Sequence, residues 1–155
     1  MTSATDTTVH KALVVNAPIT EAFRVFTEQF GDFKPREPNL MASPIAETVF
    51  ETKVGGHIYD RAEDGTECHW ARILAYEPPT RVVFSWDIGP TWQIETNPDL
   101  TSEVEVHFIA EADDRTRVEL EHRNLDRHGP GWEAVRHGVE EGWPIYLDHY
   151  AAILA

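Results

Sequence analysis

The second half of the chain carries a plain period-two pattern. Across residues 102–111, Val104, Val106 and Phe108 alternate with Glu103, Glu105 and His107. Across residues 116–123, Val118 and Leu120 alternate with Glu119 and Glu121. One dry face and one wet face mark strands of an antiparallel sheet that is covered on a single side. Asp113-Asp114 turns the chain between the two. Segments 9–15, 45–52, 56–61, 67–76 and 81–87 are predicted as further strands. Asp64-Gly65 predicts a two-residue hairpin of type I′, with positive φ at both central positions. Pro78-Pro79 ends the strand before it, because proline has no N–H to give to a ladder.

Two segments have helical period. Pro18 opens the first, where its missing N–H would be unpaired in any case. Ile19, Phe23, Phe26 and Phe30 then form one apolar face, and Gly31 is its predicted stop. The second spans residues 131–154 and is predicted in two parts, 132–141 and the segment after Gly142-Trp143-Pro144. Pro144 either starts a new helix or kinks a continuous one. Trp143, Tyr146, Leu147, Tyr150, Ala151 and Leu154 form its broad apolar stripe. Residues 32–44, broken by Pro35, Pro38 and Pro44, and residues 89–100, carrying Trp92, are predicted as long irregular loops of the kind that often serve function.

The dry face of the sheet needs a cover, and the last segment is the long helix available for it. The expected fold is therefore α+β: a helix-grip, with a curved antiparallel sheet of about six to seven strands wrapped around a long C-terminal helix and a shorter helix after the first strand. A curved sheet and a straight helix do not close fully on each other, which leaves space between them. The expected organisation is a flexible N-terminus over residues 1–8 and one domain over residues 9–155.

Composition narrows the partners. At 155 residues with 41% hydrophobic and 26% charged positions, the chain has the make-up of a globular protein. Its net charge of −14, from 13 basic and 27 acidic side chains, argues against nucleic acid and anionic membranes as partners. That charge serves solubility or a docking face for a basic protein. A lone cysteine, Cys68, excludes an internal disulfide and fits a reducing cytoplasm. The polar first residues carry no secretory pattern, and no apolar run reaches the roughly 18 residues of a membrane span.

Three patches, taken in order, carry a family likeness. They are Val54-Gly55-Gly56-His57-Ile58-Tyr59 with Asp64-Gly65; Glu77-Pro78-Pro79-Thr80-Arg81-Val82-Val83-Phe84-Ser85-Trp86; and Thr116-Arg117-Val118-Glu119-Leu120-Glu121-His122, with Gly142-Trp143 downstream. With the run from Val15 to Phe26, they make the chain resemble the START-like (SRPBCC, Bet v 1-like) superfamily, in the branch similar to the activator of Hsp90 ATPase homologue. The likeness covers nearly the whole chain. It implies a hydrophobic cavity, which in such proteins serves carriers, cyclases, hydrolases and co-chaperones alike. The co-chaperone that names the branch carries a further N-terminal domain, for which this length leaves no room.

Candidate ligand-binding residues follow from the inner faces and the aromatic set. His122 continues the parity of Val118 and Leu120 and is expected to point inward, as a ligand-orienting group, a base, or a core histidine bonded to its neighbours. Arg72 shares parity with Trp70 and Leu74. On the inner face it would grip a carboxylate or pair with Glu67, Asp87 or Glu95; one register step away it is a rim residue. Tyr59, Trp70, Phe84, Trp86, Trp92, Trp143, Tyr146 and Tyr150 supply flat surface suited to aromatic ligands or to plain core packing. Trp92 is the candidate lid, and Val106, Phe108, Leu120 and Leu147 complete the set. The spacings of the eight histidines do not match a helical zinc site. There is no Gly-rich phosphate loop and no Gly-x-Ser-x-Gly elbow. Cys68 and His69, adjacent in a strand, face opposite ways.

No metal or cofactor is expected. The first functional reading is a binding protein for an apolar or amphiphilic small molecule. The second is a cofactor-free cyclase, hydratase or hydrolase using His122 with Asp87 or Glu95. The third is a protein-interaction module or a homodimer.

Overall fold

The computed structural model describes residues 6–35 and 39–155. Residues 1–5 of the expected flexible N-terminus, and Pro38 in the first irregular segment, lie outside the described residues. Of the remaining N-terminal residues, Thr7 gives its carbonyl to the N–H of Leu125 at 3.1 Å.

Seven strands form one antiparallel sheet: β1 (Val9–Val15), β2 (Ile45–Phe50), β3 (His57–Ala62), β4 (Glu67–Glu77), β5 (Arg81–Trp86), β6 (Ser102–Ala112) and β7 (Arg115–Arg123), in the order β1-β7-β6-β5-β4-β3-β2. The helices are α1 (Ile19–Glu28), α2 (Phe30–Phe33) and α3 (Trp132–Ile153). The inner faces of β6 and β7 bury Val104, Val106, Phe108, Val118, Leu120 and His122, as the alternation requires. This is the α+β arrangement of a curved sheet against a long last helix.

Four local details differ from the sequence reading. The 62–67 connection holds only Gly65 at positive φ, 90°, so Asp64-Gly65 is part of a longer turn and not a two-residue type I′ hairpin. The first helix does not run through Phe30 to a stop at Gly31: it ends at Glu28, and Gly31 lies inside α2. A Cβ on Gly31 would stand 2.7 Å from the Thr48 carbonyl oxygen, so close packing on β2, not chain termination, requires this glycine. The last helix is continuous through Gly142-Trp143-Pro144. Burial of Trp143, Leu147 and Tyr150 on its inner face offsets the one backbone hydrogen bond that Pro144 removes.

The fourth difference bears on the site. Register shifts fall between Ile58 and Tyr59 and between Ile73 and Ala75. Each extra residue resets the alternation. Trp70 and Ile73 are therefore buried while Leu74 is exposed, and Arg72 does not share the face of Trp70.

The phenylalanines of α1 and α2 decide where the interior is filled. Phe23 and Phe26 meet Phe108 edge-on at 5.1 and 5.7 Å between ring centres, and Phe33 meets Tyr150 at 5.3 Å. The Tyr150 hydroxyl donates to the Ala22 carbonyl at 2.7 Å. This cluster closes one end of the space between sheet and α3. Val106, Phe108, Leu120, Leu147 and Tyr150 are packed core there.

Candidate functional site

At the other end the space stays open. A cavity of about 170 Å³ lies between α3, the sheet and two loops. Trp70, Trp86, Trp143 and Tyr146 form its aromatic walls, and Trp92 stands at its rim. Neighbouring rings meet at steep angles: Trp70 and Trp86 at 5.2 Å, Trp86 and Trp143 at 5.6 Å, Trp143 and Tyr146 at 4.8 Å between centres. Such steeply inclined contacts, edge-on in the first two pairs, are stable without a guest. Trp70 and Trp86 come from the sheet, whereas Trp143 and Tyr146 come from α3, which also contributes Val135 and Val139. Ala134, Gly138 and Gly142, one turn apart on α3, face the cavity, and a Cβ on either glycine would meet nothing within 4 Å.

The polar end of the cavity was not foreseen. Lys34 and Asp60 both line it, with Nζ and Oδ2 3.4 Å apart and side chains only 7% and 5% exposed. Thr48 donates to Asp60 Oδ1 at 2.6 Å, and Lys34 Nζ donates to the Pro35 carbonyl at 3.0 Å. The ammonium lies 5.8 Å from the centre of the Trp70 ring, a cation–π distance. A buried ion pair is a poor source of stability compared with apolar packing, so its position in a ligand-sized space suggests a role toward a guest. Asp60 was legible in principle, since it shares the parity of Ile58 and Ala62. Lys34 sits in an irregular segment, where no periodicity points to it.

A second polar group lies behind Trp86. The Trp143 indole N–H donates to His122 Nδ1 at 3.1 Å. His122 Nε2 and His128 Nε2 each lie 2.8 Å from Ser102 Oγ. Indole nitrogen can only donate, so the direction of the chain is fixed. His122 accepts at Nδ1 and donates from Nε2 to Ser102, and Ser102 donates to His128 Nε2. His128 then carries its proton on Nδ1, a buried atom with no acceptor among the described residues. Burial drives the His122 pKa down to about 3. It also lowers that of His128, against the pull of Asp87 and Glu95. Both rings are neutral at pH 7.

Of the sequence-derived candidates, the structure gathers Trp70, Trp86, Trp92, Trp143 and Tyr146 around the cavity. His122 touches it indirectly, through Trp143. Phe84 is buried beside Phe30, Phe50 and Trp143. Arg72 lies outside the cavity: Nε and Nη2 bind the two Asp87 oxygens at 3.2 and 3.1 Å, and Nη2 also reaches Thr101. Tyr59 stacks flat on His69 at 4.4 Å with Arg61 beside it, away from the cavity.

Residues 16–155 match the family described as activator of Hsp90 ATPase homolog 1-like protein. The chain belongs to this family. Among solved structures it is similar to an anthrahydroquino-γ-pyrone synthase, Txn09, at 37% identity over 94% of this chain and 96% of that one, with a TM-score of 0.68. It is similar to CalC, a self-sacrificing resistance protein from Micromonospora echinospora, at 30% identity over 96% and 94% of the two chains, with a TM-score of 0.66. Protein MLL2253 from Mesorhizobium loti shares the fold alone, at 19% identity over 95% and 96%, with a TM-score of 0.64. The comparison with curated proteins returned no match. Family and neighbours support a ligand-binding or cyclase-type role. Among the described residues, no helix is long and apolar enough to cross a membrane, and no cluster of three or more potential metal ligands occurs.

Proposed function

We propose that this protein binds a flat, oxygenated polycyclic aromatic molecule of polyketide type in the tryptophan-walled cavity. The observation that carries the reading is a cavity walled by Trp70 and Trp86 from the sheet and by Trp143 and Tyr146 from α3, with Ala134, Gly138 and Gly142 leaving room along the helix. A planar guest lies along α3 at Gly138 and Gly142, beside Trp143, and meets the Trp70 and Trp86 rings of the sheet on its other side. Size sets a condition. An apolar cavity of about 150 Å³ takes a benzene ring, and drug-sized guests occupy roughly 300–1,000 Å³. A three-ring guest therefore extends past the rim, where Trp92, 59% exposed and at φ 60°, is the side chain that must swing aside.

The likeness to a γ-pyrone synthase supports a second step on the same guest, a cofactor-free ring closure. In this reading the phenol oxygen adds to the β-carbon of a conjugated carbonyl of the same guest: its O–H proton passes to Asp60, the C=C π pair shifts to give an enolate oxygen beside Lys34, and Asp60 then returns the proton to the α-carbon, so the closure is an isomerisation that needs no co-reactant. The cavity residues, not His122 with Asp87 or Glu95, then carry the chemistry. His122 is committed to Trp143 and Ser102, and Asp87 to Arg72.

Fluorescence titration with 1-hydroxy-9,10-anthraquinone tests the binding claim. Saturable quenching at one guest per chain is expected, and Gly142→Leu, which fills the cavity from the helix side, should abolish it. Unsaturable quenching, or quenching that ignores Gly142→Leu, would count against the proposal.

A further inference from the structure

Among the described side chains of the cavity wall, hydrogen-bond donors outnumber acceptors, and that imbalance defines what the guest must present. Lys34 has three N–H donors, with two partners among the described residues, the Pro35 carbonyl and Asp60 Oδ2. The Trp70 indole N–H is buried and has no acceptor among the described residues. The Tyr146 hydroxyl, on the neighbouring wall, makes no hydrogen bond to a described residue. Among the described side chains of the wall, the one carboxylate acceptor is Asp60. Its Oδ1 is taken by Thr48 and its Oδ2 faces Lys34.

An unpaired buried donor is costly, and a native protein seldom keeps one without a use. Trp70 Nε1 is such a donor, in a side chain that lines the cavity and lies under the Lys34 ammonium at 5.8 Å. Tyr146 belongs to the same end: its ring and that of Trp70 both pack on Phe30, each at 6.1 Å between centres, and its hydroxyl is held protonated by burial and, secondarily, by the charge of Asp60. It therefore acts as a donor throughout the physiological range.

Resting on the aromatic-guest reading above, we infer that Lys34, Trp70 and Tyr146 form an oxygen-recognition subsite. It takes the carbonyl or phenolate oxygens along one edge of the guest and discriminates against the bare hydrocarbon of the same shape. The ion pair contributes no net charge, so the subsite accepts neutral quinone carbonyls as well as phenolates. Its selectivity is for acceptor oxygens, not for charge. A site built from donors rejects a guest that cannot accept, because its buried N–H groups then stay unpaired.

The test compares 1-hydroxy-9,10-anthraquinone with anthracene, which has the same three rings and no oxygen. Binding of both is measured for the unmodified protein, Trp70→Phe and Tyr146→Phe. Tyr146→Phe removes a single donor with little change of shape; Trp70→Phe removes the indole N–H together with part of the wall's volume. The inference predicts that the unmodified protein prefers the quinone by tenfold or more. Tyr146→Phe should lose roughly three- to tenfold for the quinone, about the worth of one hydrogen bond, with anthracene affinity unchanged, and Trp70→Phe should lose three- to tenfold more for the quinone than for anthracene. If both probes bind equally, and both variants treat them alike, the oxygen subsite is overturned while the aromatic cavity stands. If neither probe binds, the subsite and the cavity reading fall together. Tyr146→Phe keeps the comparison decisive should Trp70→Phe fold poorly.

Discussion

Trp143 donates its indole N–H to Nδ1 of His122 at 3.1 Å, and this bond ties a cavity wall to the polar interior of the sheet. It sets the tautomer of His122 and, through Ser102, that of His128. It also makes His122 a ring that must stay neutral for the wall to stay in place.

The first prediction concerns acid. An unfolded histidine titrates near 6.5, whereas buried His122 titrates at about 3. Between those values the unfolded state binds the extra proton, so stability falls as pH drops below about 6.5. The slope is up to about 1.4 kcal/mol per pH unit from this ring. His122→Gln keeps an acceptor and a donor but cannot titrate. Urea denaturation from pH 7 to pH 4 should show a shallower loss for the variant. An identical slope would remove His122 from the acid response.

The second concerns the wet face. Glu105 binds Arg81 Nε at 2.7 Å and also holds Arg123 and His107. Despite the opposing cost of burial, these partners, Arg81 first, hold its pKa at about 2. A lowered carboxylate pKa gives stability that is present above about 4.5 and lost as pH falls toward 2. Glu105→Gln should cost about 1–2 kcal/mol at pH 7, with the difference shrinking below pH 4. Chemical denaturation at both pH values checks it.

The third separates stability from binding at α3. Gly142 is helical and has open space where a Cβ would be. Gly142→Ala should raise stability by about 0.5–1 kcal/mol through helix propensity while weakening guest binding by narrowing the cavity. Thermal melts and anthraquinone titration on the same samples measure both. A variant that gains stability and affinity together would place the guest elsewhere.

The legible parts of this chain are those where one period holds. Val104, Val106, Phe108, Val118, Leu120 and His122 keep strict alternation and fall on the inner face as expected. The 67–77 strand does not, because the bulges opposite Ile58 and near Ile73 insert residues that leave no trace in composition. Trp70 and Arg72 therefore look alike in sequence and part company in space. Lys34 and Asp60 lie twenty-six positions apart, one in a loop and one in a strand, and only the fold brings them together. The extent of the cavity was equally hidden. It depends on how far the Phe23, Phe26, Phe30 and Phe33 side chains reach between the sheet and α3.

The fourth prediction concerns the rim. Trp92 is largely exposed, so Trp92→Ala should change stability by no more than about 0.5 kcal/mol. If it closes over the guest, the variant should release anthraquinone several times faster in stopped-flow measurements. An unchanged off-rate would deny it a lid role.

The most direct test of the central claim is a titration of ¹⁵N-labelled protein with 1-hydroxy-9,10-anthraquinone, following the five indole N–H signals. A guest held in this cavity should shift Trp70, Trp86 and Trp143 strongly and Trp92 at the rim, while Trp132, which is not part of the cavity wall, stays nearly still. Shifts confined to Trp132 and surface amides, or no shifts at saturating probe, would contradict the account.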